Sequence, residues 1–125
     1  MKAVSTTNRA FAALKNSGAV VIWGSHEHGG DASAVAEKLS NDVKVLCSTD
    51  KAFAALKKSG EVVAWGNEEY GGEVPAGIKR FVSRGVVKLY AIDGRGFCAV
   101  KPGGGQVFWG ADNTVLRDHR NQYRD

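Results

Sequence analysis

The stretch AFAALKNSGAVVIWG, Ala10 to Gly24, returns as AFAALKKSGEVVAWG, Ala52 to Gly66, with twelve of fifteen positions identical at an offset of 42 residues. The repetition begins upstream of both copies, because MKAVSTTNRAFAAL from Met1 aligns with VKVLCSTDKAFAAL from Val43 at the same offset. A third, more divergent copy, VKLYAIDGRGFCAVKPGGGQVFWG, runs from Val87 to Gly110 at an offset of 44 from the second. Phe11, Phe53 and Phe97 then correspond, as do Trp23, Trp65 and Trp109, the three tryptophans of the chain. Three units follow, 1–42, 43–86 and 87–125, within a single domain. A period of this length indicates a solenoid, a propeller or a pseudo-symmetric β fold.

Within a unit, VKVLCST reads as a first strand, and AFAAL and VVAW as a second and third joined by a tight turn. The turns are Lys15-Asn16-Ser17-Gly18, Lys57-Lys58-Ser59-Gly60 and Lys101-Pro102-Gly103-Gly104. Glycine in each predicts a hairpin closed by a left-handed residue, and proline in the third suits the second position of a type I turn. The hairpin strands are apolar on both faces, so they call for cover on both sides. Ser33–Leu39 and Pro75–Phe81 are expected to form one or two helical turns each.

The pattern FAALK-x-SG-x-VV-x-WG, followed by a loop with Gly-Gly and a strand ending in Ser-Thr, resembles the repeat of the regulator of chromosome condensation family. The resemblance implies β-propeller blades and a protein-interaction scaffold; the founding member is an exchange factor for the small GTPase Ran. The units here are shorter than the family's usual repeat, and Gly-Gly stands where the family tends to have Gly-Gln-Leu-Gly. With three units present, no exchange-factor residue carries over. Three blades do not close a ring, since propellers use roughly 4–8. The expectation is therefore a mainly β, propeller-blade-like fold that associates with itself, most simply as a dimer. A closed threefold β fold, trefoil or prism, is the alternative.

Composition narrows the function. The chain of 125 residues is 43% hydrophobic and 24% charged, which is globular rather than disordered. No apolar run approaches the ~20 residues of a membrane span, and the N-terminus lacks a signal-peptide core. Cys47 and Cys98 are expected as free thiols in a reducing, cytoplasmic setting. A net charge of +4 permits an acidic partner without demanding one.

The motifs for chemistry are weak. Gly24-x-x-x-x-Gly29 and Gly66-x-x-x-x-Gly71 have phosphate-loop spacing, but Gly30-Asp31 and Gly72-Glu73 follow where lysine and a hydroxyl residue are needed. His26, Glu27, His28 and Asp31 offer metal-ligand chemistry, yet the second unit has Glu68 and Tyr70 in place of the histidines. No nucleophile elbow is present. Arg117, Arg120 and Arg124 would share a stripe if the C-terminal segment were helical.

These observations favour a non-enzymatic module without cofactor or metal, binding a protein through the inter-repeat loops Ser25–Asp31, Asn67–Glu73 and Ala111–Thr114. The candidate contact residues are His26, Glu27, His28, Glu68, Glu69, Tyr70, Asp112 and Asn113. Their mixed charge suits protein recognition better than nucleic acid. A carbohydrate-binding module using Tyr70 and His28, or a small metal-dependent enzyme, are the rival expectations.

Overall fold

The computed structural model of the chain describes residues 3–28, 30–92, 94–110, 115–117 and 123–124. Strands β1 (Ala3–Thr6), β2 (Ala10–Leu14) and β3 (Val20–Gly24) form a first antiparallel sheet. A second sheet is built the same way from β4 (Val43–Ser48), β5 (Ala52–Lys57) and β6 (Val62–Gly66). The third has β7 (Lys88–Ile92), β8 (Gly96–Val100) and β9 (Gln106–Gly110), extended by β10 (Val115–Arg117) and β11 (Tyr123–Arg124) in the order β11-β10-β9-β8-β7. The fold is mainly β, in propeller-blade-like units, as the repeat implied.

The turn chemistry explains the hairpins. Gly18 and Gly60 both sit at φ 89°, and Gly104 at φ 93°. Each amide bonds back to the lysine carbonyl opening its turn, at 2.9, 2.9 and 3.2 Å. The turn also joins one unit to the next. The Gly60 carbonyl accepts from Val86 N–H at 3.1 Å, and the Gly18 carbonyl from Val43 N–H at 3.0 Å. A Cβ at Gly60 would lie 2.3 Å from the Gly85 nitrogen, so glycine is required there twice over, by conformation and by space.

Because side chains alternate along a strand, each sheet has two faces with different residues. In the second sheet Phe53, Ala55, Val63 and Trp65 share one core with Ala10, Ala12 and Leu14 of the first. The opposite face, with Ala52, Ala54, Leu56 and Val62, shares another core with Phe97, Ala99, Val107 and Trp109 of the third. Each Phe–Trp pair is thus directed at a pair of alanines on the preceding sheet. The rings of Phe53 and Trp65 stack at 5.4 Å between centroids, and those of Phe97 and Trp109 lie at 5.7 Å. In the first sheet Phe11 and Trp23 stack in the same way at 5.4 Å. Their face is exposed, however: Trp23 is 47% accessible, against 4% for Trp65 and 2% for Trp109.

Two expectations are corrected. The trefoil or prism alternative fails because the sheets stack in sequence through two separate cores and leave the Phe11–Trp23 face open. The helical stripe through Arg117 and Arg124 fails because Val115–Arg117 and Tyr123–Arg124 are strands; the free edge of β9 offers hydrogen bonds that a short isolated helix lacks. Arg120 lies outside the described residues. The expected short helices are present as 3-10 turns, η2 (Ser33–Val35), η4 (Ala76–Ile78) and η5 (Phe81–Ser83). Among the described residues no helix is long and apolar enough to cross a membrane.

The identical tryptophans give a clear comparison. Trp65→Ala is expected to cost about 3–5 kcal/mol in a denaturant melt, as truncation of a buried large aromatic does. Trp23→Ala in the isolated chain is expected to cost under about 1 kcal/mol, the scale of surface substitutions. Equal losses would mean that the two faces are equally covered in solution.

Candidate functional site

Each tryptophan–glycine ending turns the chain sharply into a loop. The first loop contains η1 (His26–His28) and the second η3 (Glu68–Tyr70), so the two recognition segments picked from sequence are single 3-10 turns at equivalent positions. The second glycine of each pair is structural. A Cβ at Gly72 would lie 2.3 Å from the Gly66 carbonyl, and one at Gly30 would lie 2.3 Å from the Gly24 oxygen. The loop therefore folds directly against its own origin, and only glycine permits that approach.

The backbone of both turns is clamped by an equivalent threonine. Thr7 Oγ1 donates to the His28 carbonyl at 2.7 Å, and Thr49 Oγ1 donates to the Tyr70 carbonyl at 2.8 Å. The second turn is further fixed by the Asn67 side chain, which accepts from Glu69 N–H at 2.9 Å as an N-cap. At its far end Trp109 Nε1 donates to the Gly71 carbonyl at 3.0 Å, tying this loop to the third sheet. The scaffold thus uses backbone atoms and leaves His26, Glu27, Glu68 and Glu69 exposed, with His28 and Tyr70 half-buried.

His26, Glu27, His28, Glu68 and Glu69 line a single shallow concavity of about 480 Å³, together with Lys51, Gly66 and Asn67. Loops 42 residues apart in sequence meet because their sheets stack. Tyr70 stands beside this concavity, with Lys51 Nζ 5.1 Å from its ring centroid, a cation–π distance. Ser25 Oγ lies 3.1 Å from His28 Nδ1 and orients that ring. Asp112 and Asn113 lie outside the described residues. Lys51 and the two threonines escaped the sequence reading, although Thr7 and Thr49 stand in register at the 42-residue offset; Asn67 entered it only as the first residue of its loop.

The electrostatics are mixed. Glu68 is pushed above the ordinary carboxylate range, first by a hydrogen bond with Glu73 and then by the like charges of Glu73 and Glu69. Asp31 is held below the usual range, chiefly by the Ser33 backbone N–H at 3.0 Å. Burial pushes the Cys47 thiol up to about 12, so at neutral pH it is a packed, protonated group rather than a nucleophile. Neither Cys47 nor Cys98 is in a disulfide, and the Cys98 thiol donates to Gln106 Oε1 at 3.6 Å. Among the described residues no three His, Cys, Asp or Glu side chains converge as a metal-ligand set.

No protein-family model matches the chain, and no curated protein sequence does. Solved structures do. The crystal structure of Kap60 bound to yeast RCC1 (Prp20) matches over 86% of this chain with a TM-score of 0.63 at 19% identity. That of human WBSCR16 matches over 86% with a TM-score of 0.58 at 18% identity. The chain spans 29% and 33% of the length of these two neighbours. Its fold is therefore that of a segment of an RCC1-like β-propeller, in agreement with the resemblance carried by the repeated Trp–Gly hairpins.

The Glu68–Glu73 pair gives a direct test of the loop geometry. Replacing Glu73 with alanine removes the hydrogen bond and the largest like charge, so Glu68 should titrate lower than in the parent chain. Carboxyl chemical shifts followed against pH by NMR report this; an unmoved Glu68 titration means the two side chains do not meet in solution.

Proposed function

We propose that the chain is a non-enzymatic protein-interaction module that binds its partner through the loop face formed by Ser25–Asp31 and Asn67–Glu73. The supporting observation is the shared concavity: side chains from consecutive units line it while the scaffold holds the loops by their backbone. Its mixed charges, two imidazoles and a lysine against three carboxylates, match a protein surface better than a uniformly anionic polymer. The neighbours of this fold include yeast RCC1 in complex with another protein, Kap60. Recognition by loops on a rigid repeat scaffold is how such arrays generally diversify.

Self-association belongs to the same proposal. Val4, Phe11, Val21 and Trp23 are each 42–49% exposed on one face of the first sheet, while the equivalent faces of the other two are buried. Covering this face with another copy would remove a large aromatic patch from water. Light scattering at micromolar concentration should return a dimer mass; a mass of 13.3 kDa, that of one chain, overturns the dimer.

The loop face is tested by a triple variant. Replacing Glu68, Glu69 and Tyr70 with alanine should leave the circular dichroism spectrum unchanged, because the turn is held through its backbone, while the melt should fall modestly because Tyr70 is half-buried against the core. It should abolish capture of the protein that the parent chain retains from lysate. Replacing Arg117, Arg120 and Arg124 should matter less. Retained capture by the loop variant, with loss in the arginine variant, would move the recognition surface to the C-terminal segment.

A further inference from the structure

The outer edges of the three sheets are treated differently. In the third sheet the edge of β9 is covered by β10, with Gln106 opposite Arg117 and Phe108 opposite Val115. The counterparts of Gln106 and Phe108 in the second sheet are Val62 and Ala64, 44 residues earlier. Lys57 N–H bonds the Glu61 carbonyl and Asn67 N–H bonds the Lys51 carbonyl, both at 2.9 Å. By antiparallel alternation the backbone groups of Val63 and Trp65 then face β5, and those of Val62 and Ala64 face away from it. In the first sheet the corresponding Val20 N–H is taken by the Leu39 carbonyl at 2.9 Å. No described residue plays that part for Val62.

A groove of about 730 Å³ follows this edge from Glu61 to Gly66. One wall is the first unit's loop, with Ala32, Val35 and Lys38; the other is the second unit's own loop, with Val74, Lys79 and Val82. The walls are apolar near the strand because Val35 and Ala32 pack on the core containing Trp65, and Val74 and Val82 on the core containing Val62. Of the charges in the groove, Lys38 is already paired with Glu61 at 2.5 Å. That leaves Asp31, Glu68 and Glu73 against Lys79. Glu68 and Glu73 follow the Gly66 end of the strand and repel one another.

We propose that this groove receives an extended peptide as an added antiparallel strand on β6, apolar where it runs along Val62–Ala64 and basic at its N-terminal end. The third sheet shows how this chain fills an equivalent edge, with a short antiparallel strand. Antiparallel addition places the peptide's N-terminus beside Gly66, where a lysine or arginine meets the crowded Glu68–Glu73 carboxylates. The backbone ladder supplies affinity and the side-chain positions supply selectivity, the usual division in strand addition. The inference rests on the β6 backbone rather than on the loop side chains, although Glu68 lines both the groove and the loop concavity.

The test uses a fluorescein-labelled peptide, KRTVLVT, with the acidic-ended EETVLVT as its comparison. Anisotropy should show binding of the basic peptide at least tenfold tighter than of the acidic one, with amide NMR shifts centred on Val62 and Ala64. Ala64→Pro removes only an outward N–H, the position where an edge strand tolerates proline, and should weaken binding tenfold or more. If that variant does not fold, N-methylation of alternate peptide residues removes the peptide's donors and should weaken binding to the unaltered protein equally. Glu69→Ala, on an exposed side chain outside the groove, should leave peptide binding unchanged. The proposal is overturned by no binding at millimolar peptide, by shifts centred elsewhere, or by equal affinity for the acidic peptide. A mass increase by light scattering that Ala64→Pro abolishes would assign the edge to a second copy of the chain and overturn the peptide as occupant.

Discussion

The structure depends on one packing constraint: a phenylalanine and a tryptophan, paired across a hairpin, must press against two alanines of the preceding sheet. Phe53 and Trp65 share a core with Ala10 and Ala12, and Phe97 and Trp109 share one with Ala52 and Ala54, all four alanines being fully buried. Interiors are packed to crystal density, so the bulk on one side dictates the smallness of the other. A larger residue at Ala54 would push the sheets apart and move every loop carried on them. The third sheet keeps small residues, Gly96 and Cys98, at the equivalent sites. The repeat therefore encodes an interface, and each unit carries both halves of it on opposite faces.

That interface sets the loop geometry. Sheets held at a fixed spacing bring η1 and η3 to one concavity, and the threonine hydroxyls pin each turn through a carbonyl. Since the clamp touches backbone only, side chains in residues 26–28 and 68–70 are free to differ, and at two of the three positions they do: His26 and His28 correspond to Glu68 and Tyr70, while Glu27 and Glu69 are shared. Glycine pairs fold the loop against the end of the strand without specifying any side chain. A rigid frame with unassigned surface positions is the arrangement from which recognition sites diversify.

Much of this was legible in the sequence, because the decisive signals were local and repeated. The turn glycines, the Trp–Gly endings and the two-faced strands each appear more than once, so a coincidence in one unit is excluded by the others. What escaped was non-local. Nothing near Val115 announces a strand; its partner edge on β9 creates the strand by leaving hydrogen-bonding groups open, which overrode the helical spacing of the arginines. The contact of Glu68 with Glu73 and the stacking of Lys51 on Tyr70 depend on how a loop folds back, and periodicity carries no information about that. The exposure of Trp23 was equally hidden, since in sequence it is indistinguishable from Trp65.

Near-identical units acquire different roles through what lies at their margins. The first sheet has its aromatic face uncovered, and part of its outer edge is capped by the Leu39 carbonyl. The second has both faces covered, with an edge that, among the described residues, neither a carbonyl nor a strand closes. In the third, the edge is occupied by the chain itself. Exposed strand edges are ordinarily blunted by charge, by proline or by cover, because they invite pairing. At β6 the edge is instead flanked by two loops, with Ala32, Val35 and Lys38 on one side and Val74, Lys79 and Val82 on the other. The groove along this edge draws on two units at once. It exists only because the loop of one unit overhangs the strand of the next, so it is a property of the stacked array and not of any single repeat.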